Sequence, residues 1–478
     1  MNDFFGRQEE LATLKSFMQK TTASLLVVRG RRRIGKSRLI EEFARGEVFY
    51  SFLGLFPVEH TTAQSQREEF IRQMSRQTGS PEIKADDWGT IFYFLFNNIK
   101  NIKTGRVILL FDEISWMGSK DPDFLGKIKN AWDILFKKNP KLIFIICGSA
   151  SSWIEKNILS STGFLGRVSY TLTLEELTLP ECSLFCGKIF NNIAPYEKFK
   201  MLSVIGGVPK YLEEIDPTIP AEENIKNLCF KKGAYLVNEF DHIFSNVFLH
   251  KSHLYSTIVA TLVDGSKSMQ EICLSLKTEQ NGRISECLEE LQLSGYVKKD
   301  YTWNIKSGLD IKLNKYRLSD NYLRFYLKYI YKYKTQILRD NFKIQSITSL
   351  PGLYTILGFQ FENLVLNNRR LIHQEIGIHP QDVISENPFF QTTTNKQPGC
   401  QIDYMIQTKF NTLYICEIKF SKNPIGIDVI KEVQEKIYRL KYPKGFSCRP
   451  VLIHVNGITD EIIEQGFFAK IIDFCKFL

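Results

Sequence analysis

Gly30-Arg31-Arg32-Arg33-Ile34-Gly35-Lys36-Ser37 has the residue types and spacing of a phosphate-binding loop, G-x-x-x-x-G-K-[ST]. An apolar run, Leu25-Leu26-Val27-Val28, precedes it, and Leu39-Ile40-Glu41-Glu42-Phe43-Ala44 follows as a helix. In that context the glycines let backbone N–H groups curl around a β-phosphate, and Lys36 neutralises the β/γ oxygens. Ser37 offers its hydroxyl to Mg²⁺, and the helix N-terminus adds its positive end. Residues Arg31, Arg32, Arg33, Ile34 and Arg38 complete the expected nucleotide-binding set, and the expected ligand is ATP. A second apolar run, Val107-Ile108-Leu109-Leu110-Phe111, ends in Asp112-Glu113. There Asp112 would hold Mg²⁺ through water and Glu113 would polarise the attacking water. A third run, Leu142–Cys147, ends in Gly148-Ser149 and would aim Ser149 at the γ-phosphate; a plain strand-end turn explains Gly-Ser equally well. Arg167, after Gly163-Phe164-Leu165-Gly166, is either a surface arginine or a cation for the charge built up during phosphoryl transfer.

A second group lies near the other end. Gln401–Gln407 and Thr412–Phe420 both alternate, and Thr408-Lys409-Phe410-Asn411 between them is short enough for a hairpin turn. A turn centred near Phe410 sets Asp403 opposite Glu417, with Lys419 on the same face. Two carboxylates facing each other repel unless something compensates. A divalent cation with oxygen ligands, Mg²⁺ or Mn²⁺, would do so, activating water and polarising a phosphodiester while Lys419 orients that water or stabilises the charged transition state. A structural ion-pair cluster is the other reading of the same residues.

The elements that must position these groups divide the chain of 478 residues into about three domains on size alone. Strand candidates at 24–29, 47–52, 106–112 and 142–147, with helices between, give a parallel α/β sheet in residues 1–175. Residues 176–249 read as a helical lid. Residues 250–320 have the cadence of a winged helix-turn-helix, with 282–293 as its second helix. That helix carries Glu286, Glu289 and Glu290, which repel phosphates, whereas the wing offers Lys298, Lys299, Lys306, Lys312 and Lys315 around Tyr301 and Trp303. DNA reading and protein packing both remain open for this module. Residues 321–350 form a bridge whose helix, 321–346, sets Arg324, Lys328 and Lys332 on one solvated face. The last domain is 351–478.

The formal net charge of +10 favours anionic partners only modestly. Ten cysteines without C-x-x-C pairs, no apolar run near the ~20 residues of a spanning helix, and an N-terminus without a basic or long apolar segment give the expectation of a reduced, cytoplasmic protein with no membrane partner. Cys182 and Cys186 fit packing on one helix face better than zinc.

The order of Phe5-Gly6-Arg7-Gln8-Glu9-Glu10-Leu11, the loop Gly30–Ser37, Leu109–Glu113, Cys147–Ser149, Gly166-Arg167 and Gly206-Gly207-Val208-Pro209-Lys210-Tyr211-Leu212 resembles the archaeal-type AAA+ ATPases. Over nearly its full length the chain is similar to prokaryotic members with a C-terminal restriction-endonuclease-like domain of unknown function. The resemblance implies an α/β fold: an AAA+ P-loop core with helical lid, a winged helix-turn-helix, and a C-terminal α/β nuclease-like domain. It places Phe5–Arg7 near the adenine, makes Ser149 the first sensor and Arg167 an arginine finger acting between copies of a homo-oligomer, and sets 206–212 in the lid. Asp403, Glu417 and Lys419 then match the Asp…Glu-x-Lys pattern. Glu362, on Gly358–Val365, supplies the further acid, Ile402-Asp403 stands where Pro-Asp is usual, and Gln434 reaches the site from the following helix. The implied activity is ATP hydrolysis coupled to a DNA-acting, metal-dependent nuclease-like domain. The alternative is a nucleotide-controlled switch whose C-terminal domain is a non-catalytic interaction module.

Overall fold

Strands β1 (Ser24–Arg29), β2 (Val48–Leu53), β3 (Val107–Asp112), β4 (Leu142–Gly148) and β5 (Tyr170–Thr173) pair in parallel in the order β2-β3-β4-β1-β5. The computed structural model describes residues 4–149, 151–248, 252–395 and 397–478, in two units, 1–175 and 176–478. The inner strands are apolar between their ends, at 25–28, 107–111 and 142–147, because helices cover both faces of the sheet. Leu25, Val27, Phe111, Phe144 and Ile146 pack with Phe70, Trp88, Phe92 and Trp132, from helices Ala63–Thr78, Trp88–Ile99 and Phe124–Ile134. Their neighbours Leu26, Val28, Ile108, Leu110 and Ile145 turn the other way, onto helices Gln8–Ser16 and Lys36–Phe43. The first strand is interior, between β4 and β5, so the loop leaving it opens at the carboxyl edge of the sheet beside β4, where α/β sheets hold ligands.

The second unit begins with helices Leu179–Cys186, Pro195–Ile205, Pro209–Leu212, Ala221–Cys229 and Tyr235–Phe248. Helices Ser252–Thr261, Met269–Ser275 and Gly282–Leu293 follow, then an antiparallel hairpin of β6 (Val297–Trp303) and β7 (Asp310–Leu318). A bridge from Lys267 to Tyr316 adds a third edge to the hairpin. Ser268 caps the first of the last two helices reciprocally with Glu271, and Asn281 caps the second through Ile284.

The helix expected over 321–346 is a correction. It runs as Asn321–Phe325, a π-turn Tyr326–Ile330, and Tyr331–Leu338. Arg324 does not share a solvated face with Lys328 and Lys332. It is buried, and its guanidinium donates to the carbonyls of Val263 (2.6 Å), Leu318 (2.8 Å) and Leu262 (3.4 Å). Burial pulls its pKa down to about 10.

A mixed sheet closes the unit: β8 (Val383–Gln391), β9 (Cys400–Thr408), β10 (Thr412–Phe420), β11 (Ser447–Val455) and β12 (Lys470–Asp473), in the order β12-β11-β10-β9-β8. The β8/β9 and β9/β10 pairs are antiparallel, and β10/β11 and β11/β12 are parallel. Helix Asp428–Arg439 makes the crossover from β10 to β11, and helix Leu353–Asn367 packs on β10. No helix among the described residues is long and apolar enough to cross a membrane, and all ten cysteines are free.

Candidate functional site

In the first unit the phosphate loop turns on positive φ at Gly30 (150°), Arg33 (70°) and Gly35 (86°). Gly30 is required for a second reason: a Cβ there would stand 2.4 Å from the Leu174 carbonyl oxygen. Lys36 is buried, and its Nζ donates to the carbonyls of Gly30 and Arg31, both at 3.0 Å. Ile34 is part of the apolar core under the loop, Arg31 is buried, and Arg38 pairs outward with Glu41 at 3.5 Å.

Strands β3 and β4 lie side by side, so Asp112-Glu113 and Gly148-Ser149 leave the same edge. Ser37 Oγ donates to Asp112 Oδ2 at 2.6 Å, and Asp112 Oδ1 accepts the Glu113 N–H at 2.9 Å. Glu113 takes a left-handed backbone, φ 49° and ψ 49°, which turns its side chain back toward Ser149. Ser149 Oγ lies 3.1 Å from both Glu113 carboxylate oxygens, and its N–H donates to Oε2 at 3.3 Å. Burial pushes the Glu113 carboxyl up; Lys36 pulls it down, Asp112 pushes it up again, and the Ser149 bonds pull it down.

Arg7 is buried beside this site, donating to the Glu175 carbonyl at 2.6 Å and the Ile34 carbonyl at 3.4 Å. Arg167 is not gathered with the loop residues. It clamps Asp133 with two bonds of 2.9 Å, which hold that carboxyl down to about 2.

In the second unit the β9–β10 ladder pairs Thr412 with Thr408 through Cys416 with Tyr404. The next step in that register sets Glu417 against Asp403. Here Asp403 Oδ2 accepts the Ile418 N–H at 3.0 Å, so the carboxylate stands in for a ladder carbonyl. Lys419 Nζ lies 3.0 Å from Glu417 Oε1 and 2.6 Å from Glu432 Oε2. Lys436 spans the pair, 3.3 Å from Asp403 Oδ1 and in a short contact with Glu417 Oε2. Burial raises the Glu417 pKa, Asp403 raises it further, and Lys436 and Lys419 pull it back. Glu362 is pushed up to about 8, first by burial and then by the Asp403 charge. Both lysines lie above the ordinary range: burial would lower them, but the facing carboxylates outweigh it.

Sequence reasoning missed Lys436 and Glu432 and named Gln434 instead. On the helix Asp428–Arg439 the sheet-facing stripe is Val429, Val433 and Lys436, and Gln434 is exposed on another side. A 3.6-residue count from the buried Val429 and Val433 would have found Lys436. No group of three His, Cys, Asp or Glu side chains placed to hold a metal ion occurs among the described residues. Asp403 and Glu417 have the hard oxygen donors that Mg²⁺ takes, but an ammonium now stands between them.

The hairpin expected to present aromatic and basic side chains is fastened into the unit. Trp303 is 2% exposed, its Nε1 donates to Gln407 Oε1 at 2.6 Å, and Gln407 Nε2 donates to the Ile305 carbonyl at 2.9 Å. Arg317 clamps Asp300 at 2.8 and 3.2 Å.

Residues 4–215 match the family model described as an ATPase domain predominantly from Archaea. This part of the chain is an ATP-binding P-loop ATPase domain. An uncharacterized protein of Methanocaldococcus jannaschii is 24% identical over 364 residues, which is 76% of each chain. Among solved structures, a Walker-type ATPase of Pyrococcus abyssi aligns with a TM-score of 0.48 at 16% identity, over 68% of this chain and 96% of that one. The ORC2 protein of Aeropyrum pernix, in ADPNP–ADP complexes, aligns with a TM-score of 0.43 at 12% identity, over 71% and 95%.

Proposed function

We propose that this chain is a cytoplasmic, oligomeric AAA+ ATPase whose nucleotide state controls a DNA-acting second unit. In this reading residues 176–249 are the lid, 250–320 a winged helix-turn-helix, 321–350 a bridge and 351–478 a restriction-endonuclease-like domain. Lys36 and the loop N–H groups would take the β- and γ-phosphates, and Ser37 and Asp112, already bonded to each other, would hold Mg²⁺. When bound, that ion neutralises charge on the phosphoryl oxygens. Glu113 would accept hydrogen bonding from the attacking water, and Ser149 would fix the Glu113 carboxylate in place.

The observation that supports the nuclease half is the β9–β10 register, which gives Asp403, Glu417 and Lys419 one face with Glu362 in electrostatic reach. Asp403 and Glu417 would be the ligands of Mg²⁺ or Mn²⁺, which would supply polarisation of the phosphodiester. Lys419 would orient water or stabilise negative charge. A Glu362 carboxyl pushed up to about 8 by burial and the Asp403 charge would hold a proton near neutrality. The second reading, a nucleotide-controlled switch with a non-catalytic interaction module, is favoured by Lys436, which already balances the two carboxylates.

Calorimetric titration of nucleotide-free protein with Mn²⁺, paired with plasmid incubation in Mg²⁺ or Mn²⁺ with and without ATP, separates the two. The nuclease reading expects Mn²⁺ uptake and cutting by the wild type and loss of both in Asp403→Ala. Equal uptake by both proteins hands the C-terminal domain to the interaction reading.

A further inference from the structure

Between the β6–β7 hairpin and the end of the second sheet lies a cleft of about 360 Å³, open to solvent. Trp303 and Phe390 form its floor, with Tyr442 at the rim. The two charged side chains lining it are Lys306 and Lys441. Both are exposed, no ion pair is formed by either among the described residues, and no Asp or Glu contributes to the lining. In a chain with 52 acidic residues, a wall that is aromatic, amide-bearing and only positively charged is complementary to an anion carrying a flat ring.

The cleft is also built rather than incidental. The Gln391 amide donates to the carbonyls of Pro398 and Arg439, both at 2.8 Å, and accepts the Lys441 N–H at 2.9 Å. The Phe390 N–H donates to Thr302 Oγ1 at 3.2 Å, locking β8 to the hairpin. The backbone at Phe390 and Lys441 and the Gln391 side chain are thus held before any ligand arrives, which lowers the ordering cost of binding. Its volume is at the small end of ligand sites, room for a single nucleotide and not for a duplex. Lys441 follows Lys436 by five residues, just beyond the helix that reaches Asp403 and Glu417.

We propose that this cleft holds one unpaired nucleotide of a nucleic-acid strand, phosphates against Lys306 and Lys441 and the base against the aromatic rim. The second unit then engages single-stranded or splayed DNA in preference to closed duplex. This rests on the DNA-acting reading but on neither metal binding nor cutting.

Fluorescence anisotropy of the full chain in EDTA, with a labelled single-stranded 20-mer, the same sequence as duplex, and labelled dAMP, tests it. The 20-mer should bind more tightly than the duplex, and dAMP should bind far more weakly than either. Lys306→Glu and Lys441→Glu should each weaken the 20-mer about tenfold, and each should lower the slope of log K against log salt by about 0.7. Tyr442→Ala should weaken binding, with rescue in Tyr442→Phe, which keeps the stacking face. Lys431→Glu, the same charge change on an exposed side of helix Asp428–Arg439, should leave the slope intact. Duplex binding equal to the 20-mer, variants that bind like wild type, or a Lys431 variant as weak as the other two overturns the cleft while leaving DNA action standing. Binding of dAMP as tight as the 20-mer overturns the strand. Failure of the wild type to bind any DNA overturns both this proposal and the reading it rests on.

Discussion

The nucleotide site and the acidic cluster both gather carboxylates and a lysine, yet they hold their charges in different ways. In the first unit, Lys36 rests on two backbone carbonyls and Glu113 on a serine, so Lys36 acts on Glu113 only at a distance and not through a direct ion pair. Backbone and hydroxyl partners leave the ammonium and the carboxylate as charges that an incoming phosphate and water can still use. In the second unit, Asp403, Glu417, Lys419, Lys436 and Glu432 neutralise one another side chain to side chain. The first arrangement is poised for a ligand, and the second must exchange a partner to accept one.

The largest expected effect breaks the first site. Lys36→Ala should abolish ATP binding by equilibrium dialysis, and because Nζ bonds carbonyls of its own loop rather than groups of the core, circular dichroism should stay native. Glu113→Gln should bind ATP normally and hydrolyse it about 10²–10³-fold more slowly. Equal loss of binding in both variants removes the division of roles between them. Because burial raises the Glu113 pKa, the acid limb of hydrolysis should lie above the ordinary carboxylate value. In Ser149→Ala that limb should move higher still, since the serine bonds favour the charged form.

The second site breaks through its counter-charge. Lys436→Met leaves Asp403 and Glu417 facing each other without the bridge, at a cost of about 2 kcal/mol in denaturant unfolding. Under the nuclease reading Mn²⁺ returns that loss, because a cation takes the place of the ammonium. A variant whose stability ignores Mn²⁺ sinks the metal site.

A finer test follows from Glu362. Its carboxyl titrates at about 8 in the fold against an ordinary value of 4.5, so between those values the native state binds more protons than the unfolded chain. Stability therefore falls as pH rises from 4.5 to 8, by at most about 1.4 kcal/mol per unit. Glu362→Gln should flatten that slope in urea titrations, and an unchanged slope would place the burden on Glu417 instead.

How much of this was legible in the sequence follows the same contrast. The phosphate loop is contiguous, so spacing alone named its residues, and uninterrupted apolar runs marked β1, β3 and β4. The Asp403–Glu417 pairing was legible too, because a short turn fixes a hairpin register. What escaped was long-range. Lys436 arrives from a helix across the crossover, and Arg324 looked like a surface cation until the carbonyls of residues 262, 263 and 318 were folded around it. Trp303 likewise read as a wing aromatic, whereas Gln407, over a hundred residues on, buries it. Local pattern gives which face a residue occupies; it does not give what the rest of the chain brings to that face.

The smallest effect concerns Arg167, which belongs to the first unit but is held in the manner of the second, by a carboxylate clamp on Asp133. If it acts as a finger on the γ-phosphate of a neighbouring copy, it must give up those two bonds first, and the clamp is a brake on turnover. Asp133→Asn keeps the shape of the partner while removing its charge, so hydrolysis per subunit should rise a few-fold at fixed protein concentration. Arg167→Ala should lower hydrolysis and make it independent of protein concentration, and mixing it with Lys36→Ala subunits should restore some activity at the interface that pairs an intact loop with an intact arginine. If Asp133→Asn hydrolyses ATP at the wild-type rate and the mixture stays inactive, the Asp133 clamp is the whole role of Arg167, and turnover belongs to the single subunit.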